Sequence, residues 1–328
     1  MTPLRGACWA ITDHAAGNQR QALALAERLG LPVRHLVLEP RAPWSWLAPR
    51  LALGGRLALR PAQRALFAPP WPAVAIGCGR AAALFTRMLR DLTGGDCYAV
   101  QILDPRLDPV HWDCVIAPRH DRLAGPGALA PLGSLNPVDE AWLADGREAF
   151  PALGALPRPR VGVLLGGPRR GVELDAAYAG TLAAALRERQ RRDGGSLLVL
   201  ASRRTPPTLL DAFRAEAAPD LLWRGPADGP NPYPGVLGWA DELVVTPDSV
   251  NMLSEACAVG VPVRTCVSAP LPPKLARFHQ ALREAGRLLD LAAGAPAATP
   301  PPLRETEAIA RAVRERIAAH QQRLDRGG

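Results

Sequence analysis

Short apolar runs alternate with longer amphipathic runs along most of this 328-residue chain. The apolar runs have the length of buried strands, and the runs between them have helical spacing. This alternation predicts β/α units, with parallel sheets that carry helices on both faces. The strands are predicted at residues 8–12, 33–38, 74–77, 99–103, 114–117, 161–165, 196–201, 243–245 and 263–267. The helices are predicted at residues 19–29, 80–92, 174–192, 249–259 and 274–285.

The alternation breaks at residues 145–159, where the run FPALGALPRPR is typical of a linker. The length suits two domains of about 150 residues each. We therefore expect an α/β protein with two Rossmann-like domains facing a cleft, at residues 1–155 and 156–328. The second would include a Pro-rich spacer (294–302) and a charged helix from about 305 to 323. Ligands of such sheets bind beyond the carboxyl ends of the strands.

The charge balance favours anionic partners. The formal net charge is +8, and Lys274 is the single lysine among the 39 basic residues. A basic surface attracts nucleotide phosphates and anionic lipid. No nucleic-acid-binding module is recognisable, so no nucleic acid is expected as a partner. No signal peptide and no apolar run of about 20 residues is present, so we expect a cytoplasmic protein that is at most peripheral on the inner membrane.

The run TPDSVNMLSEACAVGVPV (246–263) follows a predicted strand and opens a predicted helix. Asp248 and Ser249 are suited to cap that helix. Its free N–H groups and positive dipole end would then bind a diphosphate. Glu255 lies further along the helix, where a carboxylate accepts hydrogen bonds from both ribose hydroxyls. The alternative is an ordinary capped helix with a solvated Glu255.

Three other loops of the second half follow strands or contain rigid turns: LLGGPRRG, ASRRTP and NPYPG. The first lets backbone approach a phosphate, the second suits a phosphate or a base edge, and the third could hold a nucleobase. The alternatives are an ordinary strand–helix turn, a solvated basic turn and a structural turn. The candidate ligands in these loops are Gly166, Gly167, Arg169, Ser202, Arg203, Arg204, Thr205, Asn231 and Tyr233.

In the first half, TDHAAGNQRQ and APRHD also follow predicted strands. They supply Asp13, His120 and Asp121 as candidate proton-transfer groups, and a histidine has its ordinary pKa near neutrality. The alternative for His120 and Asp121 is a structural pair. There is no Asp-x-Asp pair and no Cys/His metal spacing, so we expect no metal and no cofactor besides the donor substrate. Helix N-termini and arginines would stabilise the leaving diphosphate.

Residues 43–67 combine Trp44, Trp46 and several leucines with four arginines, at positions 50, 56, 60 and 64. An apolar face with tryptophans beside a basic face suits the surface of an anionic membrane. The alternative is a helical excursion that packs on the first domain.

Many motifs occur in a fixed order: TDxxAGNxxQAL, GCGRxAA, QxLDPR, APRHDRLxGP, LGSLN, LLGGP, SRRTP, NPYPG, WAD and TxDSVNMLSEACAxGxPV. With them the chain resembles, over nearly its whole length, the bacterial mitochondrial-fission-like family. That family is named after a plant homologue with an elongated-mitochondria phenotype, and its bacterial members are regarded as glycosyltransferases.

The last motif also resembles the donor site of GT-B glycosyltransferases, such as the peptidoglycan enzyme that adds N-acetylglucosamine to lipid I. There a helix binds the diphosphate and ribose, and Asn18 of this chain stands where that enzyme has its catalytic histidine, while His14 stands where the family often has glycine. The resemblance implies donor contacts from Gly17, Asn18, Ser249, Asn251, Met252, Ser254 and Glu255. The motif KxARFH implies that Lys274, Arg277, Phe278 and His279 approach the donor sugar.

We therefore expect a glycosyltransferase of the hexosyltransferase type. It would move a sugar from a nucleotide-diphosphate sugar to a hydroxyl acceptor, which we expect to be a lipid-linked or glycolipid component of the cell envelope. The first domain would hold the acceptor and the base, and the second the donor. The alternatives are a sugar-nucleotide epimerase and a non-enzymatic adaptor that recruits membrane-fission machinery.

Overall fold

A computed structural model describes residues 3–125, 127–294, 298 and 301–327. The chain forms two compact units. Unit 1 runs to Pro137 and resumes at Glu305, whereas unit 2 is the continuous stretch Val138–Arg304. Each unit contains one six-stranded sheet in which every strand pair is parallel.

The strands follow in chain order. Unit 1 contains β1 (Cys8–Thr12), β2 (Val33–Val37), β3 (Val74–Cys78), β4 (Tyr98–Ile102), β5 (Cys114–Ile116) and β6 (Ala128–Leu129). Unit 2 contains β7 (Arg160–Leu165), β8 (Ser196–Ala201), β9 (Leu221–Trp223), β10 (Glu242–Val245), β11 (Val263–Thr265) and β12 (Leu289–Asp290). The predicted α/β class is therefore confirmed, and each predicted strand coincides with an observed one.

The helices are α1 (Ala16–Glu27), α2 (Trp44–Leu47), α3 (Arg80–Leu92), α4 (Glu140–Ala149), α5 (Ala176–Asp193), α6 (Pro207–Ala217), α7 (Tyr233–Trp239), α8 (Val250–Cys257), α9 (Pro273–Glu284) and α10 (Thr306–Gly327). In the part of the chain that the structure describes, no helix is both long enough and apolar enough to cross a membrane.

The last helix, α10, belongs to unit 1. Ala310, Val313 and Ile317 are fully buried in the same apolar cluster as Cys8 of β1 and Ile76 of β3. This differs from the expected division, which placed the helix in the second domain. The reason is that the apolar stripe of α10 fits the core of unit 1, to which the chain returns after completing unit 2.

The boundary between the units also differs from the expected one at 155/156. Residues 145–159 are not a linker, because they contain the end of α4 and a 3₁₀ helix at Pro151–Ala155. A Cβ on Gly146 would lie 2.4 Å from the Pro234 carbonyl oxygen, and one on Gly154 would lie 2.8 Å from the Trp239 ring. The glycines thus mark close packing against α7. The predicted spacer at 294–302 lies largely outside the described residues.

The strand order places one topological switch point in each sheet. In unit 2 the order is β12-β11-β10-β7-β8-β9, so the chain leaves β7 in one direction and later returns to its other side through β10. In unit 1 the order is β2-β1-β3-β4-β5-β6, and the corresponding point lies between β1 and β3. Ligands of open α/β sheets bind outside the carboxyl ends of the strands at such points.

Candidate functional site

In unit 2, the loops that follow β7, β8 and β10 are joined by one buried carboxylate. Asp248, which is fully buried, accepts a hydrogen bond from the Thr246 hydroxyl at 2.7 Å and one from the Gly167 N–H at 3.3 Å. Its Oδ2 also pairs with the guanidinium of Arg204 at 2.7 Å. Asp248 therefore holds three loops in place at the switch point. It does not cap the following helix, because Ser249 is the cap residue.

The two glycines after β7 lie in close contact with the loops that follow β8 and β10. A Cβ on Gly166 would lie 2.0 Å from Asp248 Oδ1, and one on Gly167 would lie 2.0 Å from the Arg204 carbonyl oxygen. The Gly166 N–H donates to the Thr246 hydroxyl oxygen at 2.7 Å. The backbone N–H groups of Gly166 and Gly167, which were predicted to approach a phosphate, thus donate to side chains of the protein itself. Glycine is required here because the protein's own loops approach so closely.

The loop after β8 is held together by its hydroxyl side chains. Thr205 donates to the Gly166 carbonyl at 2.6 Å and accepts from the Ser202 N–H at 2.8 Å. Arg203 in the same loop is exposed. Arg169, also exposed, donates to the Asp248 carbonyl at 3.0 Å. Ser202 and Thr205 therefore shape the loop, while the arginines bring positive charge to the carboxyl edge of the sheet.

Helix α8 begins at this edge. Ser249 caps it by accepting from the Met252 N–H at 3.3 Å, as predicted for this residue type. Asn251 and Met252 lie partly exposed in the first turn, where the helix dipole is positive. Ser254 is buried and donates to the Val250 carbonyl at 2.8 Å. Its hydroxyl is thus used inside the helix, and the implied ligand contact does not fit it.

Two predicted motifs meet at Glu255. This residue is buried in α8, so the alternative of a solvated carboxylate is wrong. The Tyr233 hydroxyl, from the first residue of α7, donates to Glu255 Oε2. Asn231 accepts from the Tyr233 N–H at 3.1 Å and fixes the start of that helix. A buried carboxylate needs hydrogen-bond donors, and the Tyr233 hydroxyl is one donor to Glu255.

Helix α9 places its predicted residues in different environments. Lys274 is exposed in the first turn, whereas Phe278 and His279 are buried. The His279 Nε2 donates to the Pro247 carbonyl at 2.9 Å, since a carbonyl oxygen only accepts. Burial lowers the pKa of His279, which keeps the imidazole neutral. His279 therefore positions the loop after β10 and does not itself face a sugar.

A pocket of about 230 Å³ opens next to this loop. Its wall contains Pro247, Val172 and Leu174, together with Val267 and Leu271 from the loop after β11. The stretch 267–271 is absent from the residues predicted to form the site. The signal that it offers is a proline-rich loop directly after a strand, at the edge where ligands of such sheets bind.

In unit 1, Asp13 and Asn18 lie together at the switch point. The Asn18 amide donates to both carboxylate oxygens of Asp13, at 2.9 and 3.0 Å, and the Ala15 N–H donates to the same carboxylate at 2.9 Å. Gly79, after β3, has a φ of +89°, and a Cβ there would lie 2.6 Å from the Asn18 amide nitrogen. Gly17 lies beside them in the first turn of α1, partly exposed like Asp13.

The other predicted proton-transfer pair lies elsewhere in unit 1. His120 and Asp121 form a 3₁₀ turn after β5, with 3.5 Å between His120 Nε2 and Asp121 Oδ1 and side chains that are almost completely buried. Strand β5 is three positions from β1, which corresponds to about 14 Å. The structure thus brings Asp13 to Asn18 and His120 to Asp121, but it does not combine the two pairs in one site. The burial of the second pair favours its structural alternative.

No cluster of three or more His, Cys, Asp or Glu side chains that could hold a metal ion occurs among the residues described.

Comparison with known proteins identifies relatives of the chain. Residues 16–317 match the family model described as mitochondrial fission ELM1. The mitochondrial fission protein ELM1 of Arabidopsis thaliana is 30% identical over 278 residues, which cover 76% of this chain. The matched stretch spans 64% of the plant protein's length, a little less than two thirds.

Solved structures with the same fold cover nearly the whole chain. Os79 from O. sativa in complex with UDP has a TM-score of 0.54 at 13% identity and covers 95% of this chain and 94% of its own. The UDP-GlcNAc 2-epimerase of Methanocaldococcus jannaschii, in complex with UDP-GlcNAc and UDP, has a TM-score of 0.54 at 10% identity, with coverages of 93% and 99%. At such identities the likeness shows the fold alone, which is two Rossmann-like units of the GT-B type.

Proposed function

The chain belongs to the mitochondrial fission ELM1 family, and from that premise we propose that it is a glycosyltransferase whose unit 2 binds a nucleoside-diphosphate sugar. The sugar is transferred to a hydroxyl acceptor. The observation that carries the proposal is that three features follow β7, β8 and β10 at the carboxyl edge of the unit 2 sheet. These are the N-terminus of α8, the exposed guanidinium groups of Arg169 and Arg203, and the buried carboxylate of Glu255.

Each feature suits one part of such a donor. The positive dipole end of α8 and the two arginines offer positive charge to the diphosphate, and they stabilise it as a leaving group. Glu255 accepts hydrogen bonds from the ribose hydroxyls, because the two oxygens of one carboxylate can accept from two neighbouring hydroxyls. Tyr233 donates to the same carboxylate and orients it for the ribose. Lys274, exposed at the start of α9, adds a further cation.

In unit 1 we retain Asp13 as the candidate base. It is partly exposed, and Asn18 and the Ala15 N–H orient its carboxylate. His120 and Asp121 instead pair with each other in a 3₁₀ turn after β5, and that pairing favours a structural role.

The fold relatives support uridine diphosphate as the first nucleotide to test, since two of them are described in complex with UDP. One of those relatives is a UDP-GlcNAc 2-epimerase, and this favours epimerisation as the second candidate function. The two reactions differ in their need for an acceptor. An epimerase converts its nucleotide sugar without one, whereas a transferase releases the nucleoside diphosphate only when a hydroxyl acceptor accepts the sugar.

The donor site is tested by titration calorimetry with UDP, GDP, TDP and CMP and their common sugars. We expect one nucleotide to bind, and Glu255→Gln to weaken that binding about 10- to 100-fold, because a charged hydrogen bond contributes about 1.5–3 kcal/mol. Glutamine keeps the side-chain volume, so the fold is preserved. Glu188→Gln, at an exposed position in α5, serves as the matched control and should bind as the wild type does.

Two outcomes would contradict the donor site. If no nucleotide binds, the family's adaptor role becomes the better account of the chain. If a nucleotide binds equally well to the wild type and to Glu255→Gln, the ribose contact is not made by this carboxylate.

A further inference from the structure

The connection between β2 and β3 displays large apolar side chains to solvent. We call residues 41–67 of this connection the basic excursion. It contains α2 and two short 3₁₀ helices. Trp46 is 75% exposed, Leu53 79% and Leu57 53%. Such side chains are usually exposed singly, so several within one connection indicate a surface that contacts something apolar.

The basic excursion is packed against the core of unit 1. Leu59 and Phe67 are fully buried in the cluster that contains Trp9 and Phe85. The Trp44 indole N–H donates to the Leu53 carbonyl at 2.6 Å, which holds the turn that carries Leu53. The alternative, an excursion packed on the first domain, thus holds for Leu59 and Phe67, which are buried. Leu53 belongs to the same segment but is exposed to solvent.

The surroundings of these apolar side chains are positive. Residues 40–90 contain eight arginines and no Asp or Glu. Arg41, Arg50, Arg56 and Arg60 are exposed. Glu39, just outside the stretch, pairs with Arg60 at 3.0 Å. The surface therefore combines apolar side chains with an excess of guanidinium groups.

A groove of about 520 Å³ separates the basic excursion from α3. Leu53, Met88 and Leu92 contribute apolar lining, Arg50 contributes a guanidinium group, and Asp91 contributes a carboxylate. The apolar part of this lining suits an acyl chain.

We propose that the basic excursion docks unit 1 on an anionic lipid bilayer. Trp46, Leu53 and Leu57 insert at the boundary between headgroups and acyl chains, while the arginines contact lipid phosphates. Charge complementarity selects this occupant over a second copy of the chain. A dimer through the same face would bring arginines against arginines. The proposal does not depend on the donor site in unit 2.

The test is sedimentation of the full-length protein with sucrose-loaded vesicles of phosphatidylcholine, with or without phosphatidylglycerol. We expect binding to the anionic vesicles, weak binding to the neutral ones and a loss of binding at high salt. The combined change Trp46→Ser, Leu53→Ser and Leu57→Ser should weaken binding at least tenfold. The pair Arg50→Gln and Arg60→Gln should weaken it about fivefold per arginine.

Matched controls lie elsewhere on unit 1. Val110→Ser removes an apolar side chain that is 67% exposed, and Arg311→Gln with Arg326→Gln removes two exposed charges from α10. Both controls should bind vesicles as the wild type does, and all variants should keep the wild-type melting temperature and nucleotide affinity. Equal binding by the serine variant, absence of wild-type binding, or self-association that the serine variant abolishes would each overturn the proposal.

Discussion

His279 is a buried imidazole whose protonation state is set by its surroundings. Burial lowers its pKa and the nearby Arg283 lowers it further, although the hydrogen bond to the Pro247 carbonyl opposes these effects. The neutral ring holds Pro247, which precedes the loop-joining carboxylate of Asp248. A proton on this ring would thus place a charge directly behind the candidate donor site.

We predict that His279 makes the stability of the protein depend on pH. Its pKa in the folded state lies below the ordinary value of about 6.5. Below about pH 6.5 the unfolded chain therefore binds a proton that the folded chain does not, and the free energy of unfolding falls as the pH falls. Urea unfolding of the wild type and His279→Gln, from about pH 7.5 to 5.5, measures this effect. The wild type should lose more stability than the variant.

The comparison at each pH removes the contribution of the other titrating groups, because both proteins share them. Glutamine can still donate to the Pro247 carbonyl, so the variant should fold. If the stability difference between the two proteins stays constant over this pH range, the folded-state pKa of His279 is not lowered.

At this scale the sequence indicates where polar groups gather but not what they contact. The motifs point to Ser249, Glu255 and Tyr233, and the structure brings the last two together. They also point to Gly166, but its close neighbour is Asp248 rather than a ligand. The distinction depends on a contact between residues far apart in the chain, which no local pattern contains.

At the scale of elements, the strands were predictable because parallel strands that are buried on both faces read as continuous apolar runs. The sequence does not predict β6, β9 and β12, which are short edge strands without a buried residue. The equally short β5 and β11 are predicted, because each is buried throughout and belongs to a longer apolar run. The prolines of the NPYPG motif favour a rigid loop, but the structure has helix α7 there, since proline is well tolerated in the first turn of a helix.

The contact between α4 and α7 explains why residues 145–159 resemble a linker. Small residues there allow the helices to approach: a Cβ on Gly146 would lie 2.4 Å from the Pro234 carbonyl oxygen, and one on Gly235 would lie 2.5 Å from the Phe150 Cβ. Composition alone cannot separate a flexible glycine from one that a neighbouring helix requires. The same residue composition is therefore compatible with a flexible linker and with a closely packed pair of helices.

Two glycine-to-alanine substitutions should therefore change the free energy of unfolding in opposite directions. Gly180→Ala, in α5, has open space around its Cβ position and should stabilise the protein by about 0.5–1 kcal/mol through helix propensity. Gly146→Ala, in α4, should instead destabilise it by about 1–3 kcal/mol, because the new methyl group meets the Pro234 carbonyl. Thermal and urea unfolding measure both changes. Shifts of the same sign would show that α4 and α7 are not packed this closely.

At the scale of the whole molecule, the chain completes unit 2 as an insertion in unit 1. The strands of unit 1 end before Pro137, yet the core that they form is closed by α10, after residue 305. The sequence pattern predicts two successive halves, because the alternation of strands and helices does not indicate which of the two cores the final helix packs into. Ala310, Val313 and Ile317 would fit any apolar surface of suitable shape.

Unit 2 should begin, as a folding unit, at about residue 138. A fragment of residues 138–304 should unfold cooperatively, because it keeps α4 against α7. A fragment of residues 156–304, cut at the boundary that composition predicts, should not. It lacks Leu143 and Leu153, which are buried in the complete unit, and it leaves α7 uncovered. Thermal unfolding followed by near-UV circular dichroism compares the two.

The shorter fragment also bears on the candidate site, because α7 starts with Tyr233, the partner of Glu255. Loss of α4 should therefore loosen the carboxylate as well as the helix, and hydrogen exchange in α8 should increase in the 156–304 fragment. If both fragments unfold with the same midpoint and the same cooperativity, residues 138–155 contribute nothing to the core of unit 2. The close contacts of Gly146 and Gly154 would then be incidental to its stability.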